Sequence, residues 1–131
     1  MDPFSNPSSD SRPDTPSRAR ADRPVVRLRP KGNARAIRHG FPWVYADELV
    51  LDRRTTALAP GTIARLEDAE RRPLGTAALT PASRIPARLL DRDPEAVIDR
   101  AWLAARIARA HALRERLYPA PFYRLVHAEG D

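Results

Sequence analysis

Hydrophobic and polar residues alternate over several short stretches between residues 25 and 90, and this pattern predicts β-strands. The clearest stretch is 62–67, where Ile63 and Arg65 point to one side and Ala64 and Leu66 to the other. A polar turn at 68–73 separates it from 74–79, which we expect to return as the hairpin partner. Further strands are predicted at 25–29, 43–45, 48–51 and 85–90. Because Pro86 cannot donate a ladder hydrogen bond, the last of these is expected at a sheet edge or a bulge.

Two segments show helical patterns instead. Residues 32–38 form a short basic segment that Gly40 should stop, and Asp99 is a plausible N-cap for a helix over 100–117. Apolar residues on one face of this second helix are Trp102, Leu103, Ile107, Ala110, Leu113 and Leu117. Arg106 and Arg114 intrude on that face, so each must snorkel, pair or face a ligand. Residues 122–127 then read as a single strand.

These elements predict a mainly β protein with helices, of the α+β class. Several short strands and one early helix indicate a small, partly open β-barrel over residues 25–91, and a related OB-like barrel remains an alternative. Residues 92–131 hold one helix and one strand, which is the start of an α+β domain that is incomplete. Residues 1–24 are rich in Pro, Ser, Asp and Arg, and we expect them to form a disordered tail.

The positive charge of the chain is concentrated in one segment. The formal net charge is +6, and residues 25–45 contribute five bases and no acid. The same 21 residues contain three of the eight aromatic residues. Cations beside aromatic faces suit a partner that carries both phosphates and bases, which is nucleic acid.

Within that segment, Lys31, Arg35 and Arg38 should share one helical face, since they lie four and three residues apart. The functional interpretation is phosphate contact by these cations, with His39 and one of Phe41 or Trp43 contacting sugar or base. The alternative is a solvated basic face, with at least one of the two aromatic rings in the barrel core.

Composition excludes several other classes of site. The chain has no cysteine, which removes disulfides, Cys-ligated metals and a Cys nucleophile. No two of the five glycines are close enough for a phosphate-binding loop. His127 and the two acids after it alternate, but a chain terminus lacks the second shell that a metal site needs, so we predict no metal. With no membrane helix and no signal sequence, a cytoplasmic protein is expected.

The order of these motifs resembles the N-terminal part of the bacterial class I S-adenosylmethionine-dependent rRNA cytosine-C5 methyltransferases. The matching segments are VRLRPKG at 26–32, HGFPWVY at 39–45, APG at 59–61, LGTA at 74–77, RIPARLL at 84–90, LRERL at 113–117 and YRLVHAEGD at 123–131. The resemblance covers about residues 25–131, and the second and last segments are fairly specific in combination.

This resemblance implies a PUA domain, a small RNA-binding pseudobarrel, followed by the start of a central α+β domain. It implies structured RNA, in particular rRNA, as the partner. In the family the cofactor loop and the catalytic cysteine lie beyond the segment matched here. S-adenosylmethionine is therefore implied for the full-length family, and no cofactor or catalytic residue is expected within these 131 residues.

Three hypotheses follow. The first is an RNA-binding module that positions rRNA for methylation by another domain. The second is that the natural protein is the whole methyltransferase and that these residues are a fragment of it. The third is an accessory module unconnected with methylation, which binds RNA or docks a protein; helix 100–117 could then also support self-association.

Overall fold

The computed structural model describes residues 23–128. Within them the elements are β1 (Val25–Arg27), α1 (Ala34–Arg38), β2 (Trp43–Val44), α2 (Arg53–Thr56), β3 (Thr62–Glu67), β4 (Pro73–Leu79), β5 (Ala87–Asp91) and α3 (Arg100–Leu117). The strands form one sheet in the order β1-β3-β4-β5-β2, in which only the β1–β3 pair is parallel. This mixed sheet is a half-barrel, which confirms the predicted α+β fold with a partly open barrel.

The β3–β4 hairpin forms the centre of the sheet, as its alternating pattern predicted. Ala64 lies opposite Ala77, and Leu66 lies opposite Gly75. The inward side chains of both strands are buried, with Ala64, Leu66 and Ala77 all at 0% exposure. In β3 the alternation therefore separates a core face from an outer face, whereas β4 is buried on both faces over residues 74–77.

The edge position expected for the 85–90 strand was wrong, whereas the alternative of a bulge finds a register shift in its pairing with β4, between Thr76 and Ala77. β5 is not at an edge, because it pairs with β4 on one side and with β2 on the other. The strand begins at Ala87, immediately after Pro86, so the missing N–H of the proline falls outside the ladder. The carbonyl oxygen of Pro86 still accepts a hydrogen bond from the Thr80 N–H at 2.8 Å.

The predicted strand at 48–51 is reduced to a single bridge between Leu28 and Leu49. Both residues belong to the hydrophobic core. The core comprises Val26, Leu28, Ile37, Val44, Leu49, Ala64, Leu66, Leu74, Ala77, Leu79 and Ala87. It is therefore built from all five strands, with α1 contributing Ile37.

Helix α1 begins two residues later than predicted. Asn33 is its N-cap, and its side-chain oxygen accepts a hydrogen bond from the Ala36 N–H at 3.1 Å. Lys31 therefore lies in the turn before the helix and does not share a helical face with Arg35, which corrects that expectation. The helix ends at His39 and Gly40, and Gly40 has a φ of +99°, a conformation that favours glycine.

Helix α3 spans the predicted residues, and Asp99 caps it by accepting a hydrogen bond from the Trp102 N–H at 2.8 Å. The strand predicted at 122–127 is wrong, because residues 118–127 contain no regular element. The segment instead contacts the helix through Arg114, whose Nε donates to the Arg124 carbonyl at 3.3 Å, and within the segment the rings of Tyr118 and Tyr123 stack with centroids 5.6 Å apart. A strand needs a neighbouring strand for its hydrogen bonds, and none is available here.

Residues 23 and 24, which were assigned to the disordered tail, are described in the structure, and both contact the fold. Arg23 donates hydrogen bonds to the Ala96 carbonyl at 2.7 Å and to the Thr76 hydroxyl at 3.1 Å. The Pro24 carbonyl accepts from the Arg65 N–H at 2.9 Å. The rest of the predicted tail, residues 1–22, lies outside the described residues.

Candidate nucleic-acid interface

Helix α1 presents its cations outward because its single buried residue anchors it from below. Ile37 is 1% exposed and belongs to the core cluster. Arg35 and Arg38 lie on the same short helix and are exposed. Burial of one β-branched side chain under the helix thus fixes the direction in which the basic residues point.

Two of the five bases in residues 25–45 are occupied by contacts within the fold. Arg27 lies 3.6 Å from a carboxylate oxygen of Glu67, measured between the guanidinium Nη2 and Oε2. The Nε of Arg29 donates to the Leu49 carbonyl at 3.1 Å. These two arginines are therefore less suited to a ligand than their sequence position implied.

Arg38 is also paired, with an acid that the sequence places 30 residues away. Its guanidinium contacts the carboxylate of Asp68. The Nε of Arg72 donates to the same Asp68 oxygen at 2.8 Å. The hairpin tip between β3 and β4 therefore meets the end of α1, and Arg38 and Arg72 lie together around one buried carboxylate.

Asp68 also organises the hairpin turn. Its other oxygen accepts the backbone N–H groups of Glu70 at 3.0 Å and Arg72 at 2.9 Å. Burial raises the pKa of the Asp68 carboxyl and is the largest single influence on it. The hydrogen bonds from Arg72 and Arg38 together outweigh burial, so the pKa lies below the ordinary value of 3.8.

Lys31 and Arg35 differ from the other three bases. Both side chains are exposed, and neither makes an ion pair or hydrogen bond with any residue between 23 and 128. Arg38 and Arg72 keep side-chain exposures of 43% and 66% despite their shared carboxylate. Two unpaired cations therefore belong to the same end of the barrel as two partly neutralised ones.

The predicted aromatic residues take different positions. Phe41 is 42% exposed, whereas Trp43 is half-buried in β2. Their rings meet edge to face with centroids 6.1 Å apart. His39 is exposed at the C-terminal end of α1. Trp43 thus supports the Phe41 ring, and the exposed pair available to a ligand is His39 and Phe41.

The fold brings two further arginines to this region that sequence analysis did not assign to the site. Arg72 read as a solvated turn residue, and only its contact with Asp68 connects it to α1. Arg92 was not singled out from the sequence, yet its guanidinium lies against Gly40. A Cβ added to Gly40 would stand only 2.7 Å from the Nη2 of Arg92. No local sequence signal could have shown either contact.

Among residues 23–128, no helix is long and apolar enough to cross a membrane. The same residues contain no group of three or more His, Asp or Glu side chains that could hold a metal ion. Of the candidate ligands near the terminus, residues 129 and 131 lie outside the described part of the chain.

Comparison with known families agrees with this architecture. A family model described as a PUA-like domain matches residues 26–92, which is about half of the chain. The chain therefore belongs to the PUA-like domain family. The matched region contains the five-stranded sheet apart from Val25, and it includes the basic residues Lys31, Arg35, Arg38 and Arg72.

Two individual proteins show further similarity. Ribosomal RNA large subunit methyltransferase I of Cronobacter sakazakii is 33% identical over 104 residues, which cover 77% of this chain and 26% of that protein. A putative SAM-dependent methyltransferase from Streptococcus mutans has a similar fold, with a TM-score of 0.63, 12% identity and coverage of 82% of this chain and 27% of that one. The chain thus spans about a quarter of the length of each.

Proposed function

We propose that this chain is an RNA-binding module that positions structured ribosomal RNA for base methylation by a domain outside these 131 residues. The observation that carries the proposal is the pair of unpaired, exposed cations at Lys31 and Arg35, at the end of the barrel where Arg38 and Arg72 also lie. Membership of the PUA-like family supports RNA as the polyanion.

In this proposal Lys31 and Arg35 contact phosphates directly. Arg38 and Arg72 are balanced by Asp68 and by Glu70, which lies 3.1 Å from Arg72, so they add N–H donors and not net charge. Because these carboxylates already hold the two guanidinium groups in place, they cost little ordering entropy when RNA binds. The exposed ring of Phe41 and the imidazole of His39 contact sugar or base, which is the usual role of aromatic side chains with unpaired RNA.

The methylation part of the proposal rests on similarity to the Cronobacter enzyme. A transfer to cytosine C5 needs a thiolate nucleophile, and these 131 residues contain no cysteine. The nucleophile and the S-adenosylmethionine site would therefore be supplied by the methyltransferase domain, in the bacterial cytoplasm where ribosomes assemble. A reading frame that continues past codon 131 into a glycine-rich cofactor loop would support this part, and one that stops there would contradict it.

RNA binding is tested by fluorescence anisotropy with fragments of large-subunit rRNA over a range of salt concentrations. The informative variant is Lys31→Ala/Arg35→Ala, because neither side chain supports the fold. Arg38→Ala is less suitable, since it would also remove a partner of Asp68. Arg53→Ala/Arg54→Ala on α2 is the matched control, because it removes the same charge from another exposed helix.

We expect wild-type affinity to fall steeply with salt. Loss of two phosphate contacts should reduce the slope of log K against log salt concentration by about 1.8, at roughly 0.9 per contact with a duplex. The α2 control should retain the wild-type slope. Absence of binding at ~50 mM salt, or equal slopes for both double variants, would refute the proposed site.

A second candidate function is self-association through the outer face of α3. Leu113 and Leu117 on this helix are 47% and 64% exposed. Such apolar exposure favours contact with another surface. Light scattering after size-exclusion chromatography should then show a dimer that Leu113→Asp converts to a monomer, whereas a wild-type monomer at all concentrations would exclude it.

A further inference from the structure

A cleft lies between the barrel and α3, next to the proposed RNA surface. Its volume is about 640 Å³, within the range of about 300–1,000 Å³ typical of small-molecule sites. Gly40 lines one end of it, and Gly40 directly follows His39. The cleft therefore continues the surface formed by α1 and the residues after it.

Positively charged side chains outnumber negatively charged ones in the lining of the cleft. Arg92, Arg106 and Arg109 line it, against one carboxylate from Asp91. Arg92 and Arg109 are exposed, and no ion pair joins either of them to a residue in the described range. The cleft thus has an excess of positive charge and two guanidinium groups available to an anion.

No ion pair joins Asp91 to either of these two arginines in the described part of the chain, and each of its oxygens accepts a hydrogen bond from another group. One accepts the indole N–H of Trp102 at 2.8 Å, and the other accepts the backbone N–H of Asp93 at 2.9 Å. These contacts also tie α3 to the end of β5. The carboxylate therefore acts as a structural clamp at the base of the cleft.

Arg106 is likewise held in place. Its guanidinium lies over the Trp102 ring, 5.0 Å from the centroid, and its Nη1 donates to the Leu90 carbonyl at 3.0 Å. The remaining wall is apolar and includes Leu89, Leu103 and Ile107. A rigid planar cation beside aliphatic side chains suits the flat face of a nucleobase.

We propose that this cleft binds an unpaired nucleotide that continues from the RNA held at α1, with its phosphate on Arg92 and Arg109 and its base against Arg106 and the apolar wall. The inference rests on the proposed RNA-binding function. RNA is favoured over an acidic peptide because a nucleotide combines the apolar faces and the anion that this mixed lining requires, whereas carboxylate side chains would leave the apolar wall uncovered.

The test uses the whole chain and two labelled probes, a blunt 12-base-pair RNA hairpin and the same hairpin with a six-nucleotide oligouridine tail. We expect the tail to strengthen wild-type binding by about 10-fold, the value of one stacked base. It should also steepen the salt slope by about 0.7, for one single-strand phosphate. In Arg92→Ala/Arg109→Ala, the blunt and the tailed hairpin should bind with equal affinity, because the gain from the tail is lost.

A second measurement locates the tail independently of affinity. Because the chain has no cysteine, Leu103→Cys provides a unique position for a fluorophore at the cleft wall. Ala105→Cys places the same fluorophore on an exposed part of the same helix that does not line the cleft. The tailed hairpin should change the emission at position 103 only.

The outcomes separate the two proposals. If neither hairpin binds, the proposed function fails. If the blunt hairpin binds but the tail adds nothing, or adds the same to Arg92→Ala/Arg109→Ala, the cleft assignment is overturned while RNA binding stands. Displacement of the tail by hexaglutamate as effectively as by hexauridylate would also overturn the assignment of the cleft to RNA.

Discussion

Replacement of Leu66 by alanine tests whether the β3–β4 hairpin is the centre of the core. Leu66 is 0% exposed, and the residue opposite it in β4 is Gly75, which has no side chain that could move into the space left. Leu→Ala substitutions in buried sites cost about 2.7–5.0 kcal/mol, and poor collapse of the cavity raises the cost. We therefore expect a loss of about 3–4 kcal/mol in the free energy of unfolding.

The same substitution at Leu117 is the matched control. Leu117 is 64% exposed on α3, so Leu117→Ala should change stability by no more than about 0.5 kcal/mol. For a folded unit of this size, 1 kcal/mol corresponds to about 4–8 °C in Tm, so Leu66→Ala should lower Tm by about 12–32 °C.

Urea unfolding followed by tryptophan fluorescence, supported by calorimetry, measures both variants. A loss below about 1 kcal/mol for Leu66→Ala would refute the assignment of β3 to the core. A large and concentration-dependent loss for Leu117→Ala would show instead that the outer face of α3 is buried between molecules.

Three further predictions concern particular contacts. Because the pKa of Asp68 is lowered in the fold, its contribution to stability is complete above pH 3.8 and is lost as the pH falls toward the pKa of the folded state. Acidification should therefore reduce the free energy of unfolding of the wild type more than that of Asp68→Asn. Gly75→Ala should cost about 1–3 kcal/mol more than Gly61→Ala in chemical denaturation, because a Cβ at Gly75 would lie 2.2 Å from a backbone oxygen while Gly61 has open space, although both have positive φ. Trp102→Phe should lower the free energy of unfolding by about 1–2 kcal/mol more than Trp43→Phe, because only the Trp102 indole N–H has an acceptor in the described structure. Equal losses for the two variants would contradict the role of Asp91 as a clamp at the cleft.

Local sequence patterns were sufficient where an element depends on its own residues. The alternation over 62–67 and the polar turn after it predicted the hairpin, since side chains of a strand point alternately to its two faces. Asp99 and the spacing of apolar residues after it predicted α3 at its observed bounds. The charge-dense segment that includes Lys31 and Arg35 was visible for the same reason, because charge density can be counted along the chain.

Tertiary structure decided which of those charges are available. The sequence placed Lys31, Arg35 and Arg38 in one set, but only the packing of the hairpin tip against α1 brings Asp68 to Arg38. The same holds for Arg92, whose contact with Gly40 spans 52 positions. Ion pairs between distant residues leave no periodic signal, because they depend on where the sheet returns the chain.

The two incorrect strand expectations have the same cause. β5 pairs on both sides because β2 lies next to it, which its own residues do not indicate. Pro86 is accommodated because the hydrogen-bonded ladder of β5 begins one residue later, at Ala87. Residues 122–127 have a strand-like pattern but find no partner, and they pack on α3 instead. The sequence by itself therefore determined the barrel elements and the location of positive charge, whereas tertiary contacts decided the sheet order, the paired arginines and the cleft beside α3, because these depend on residues that are distant along the chain.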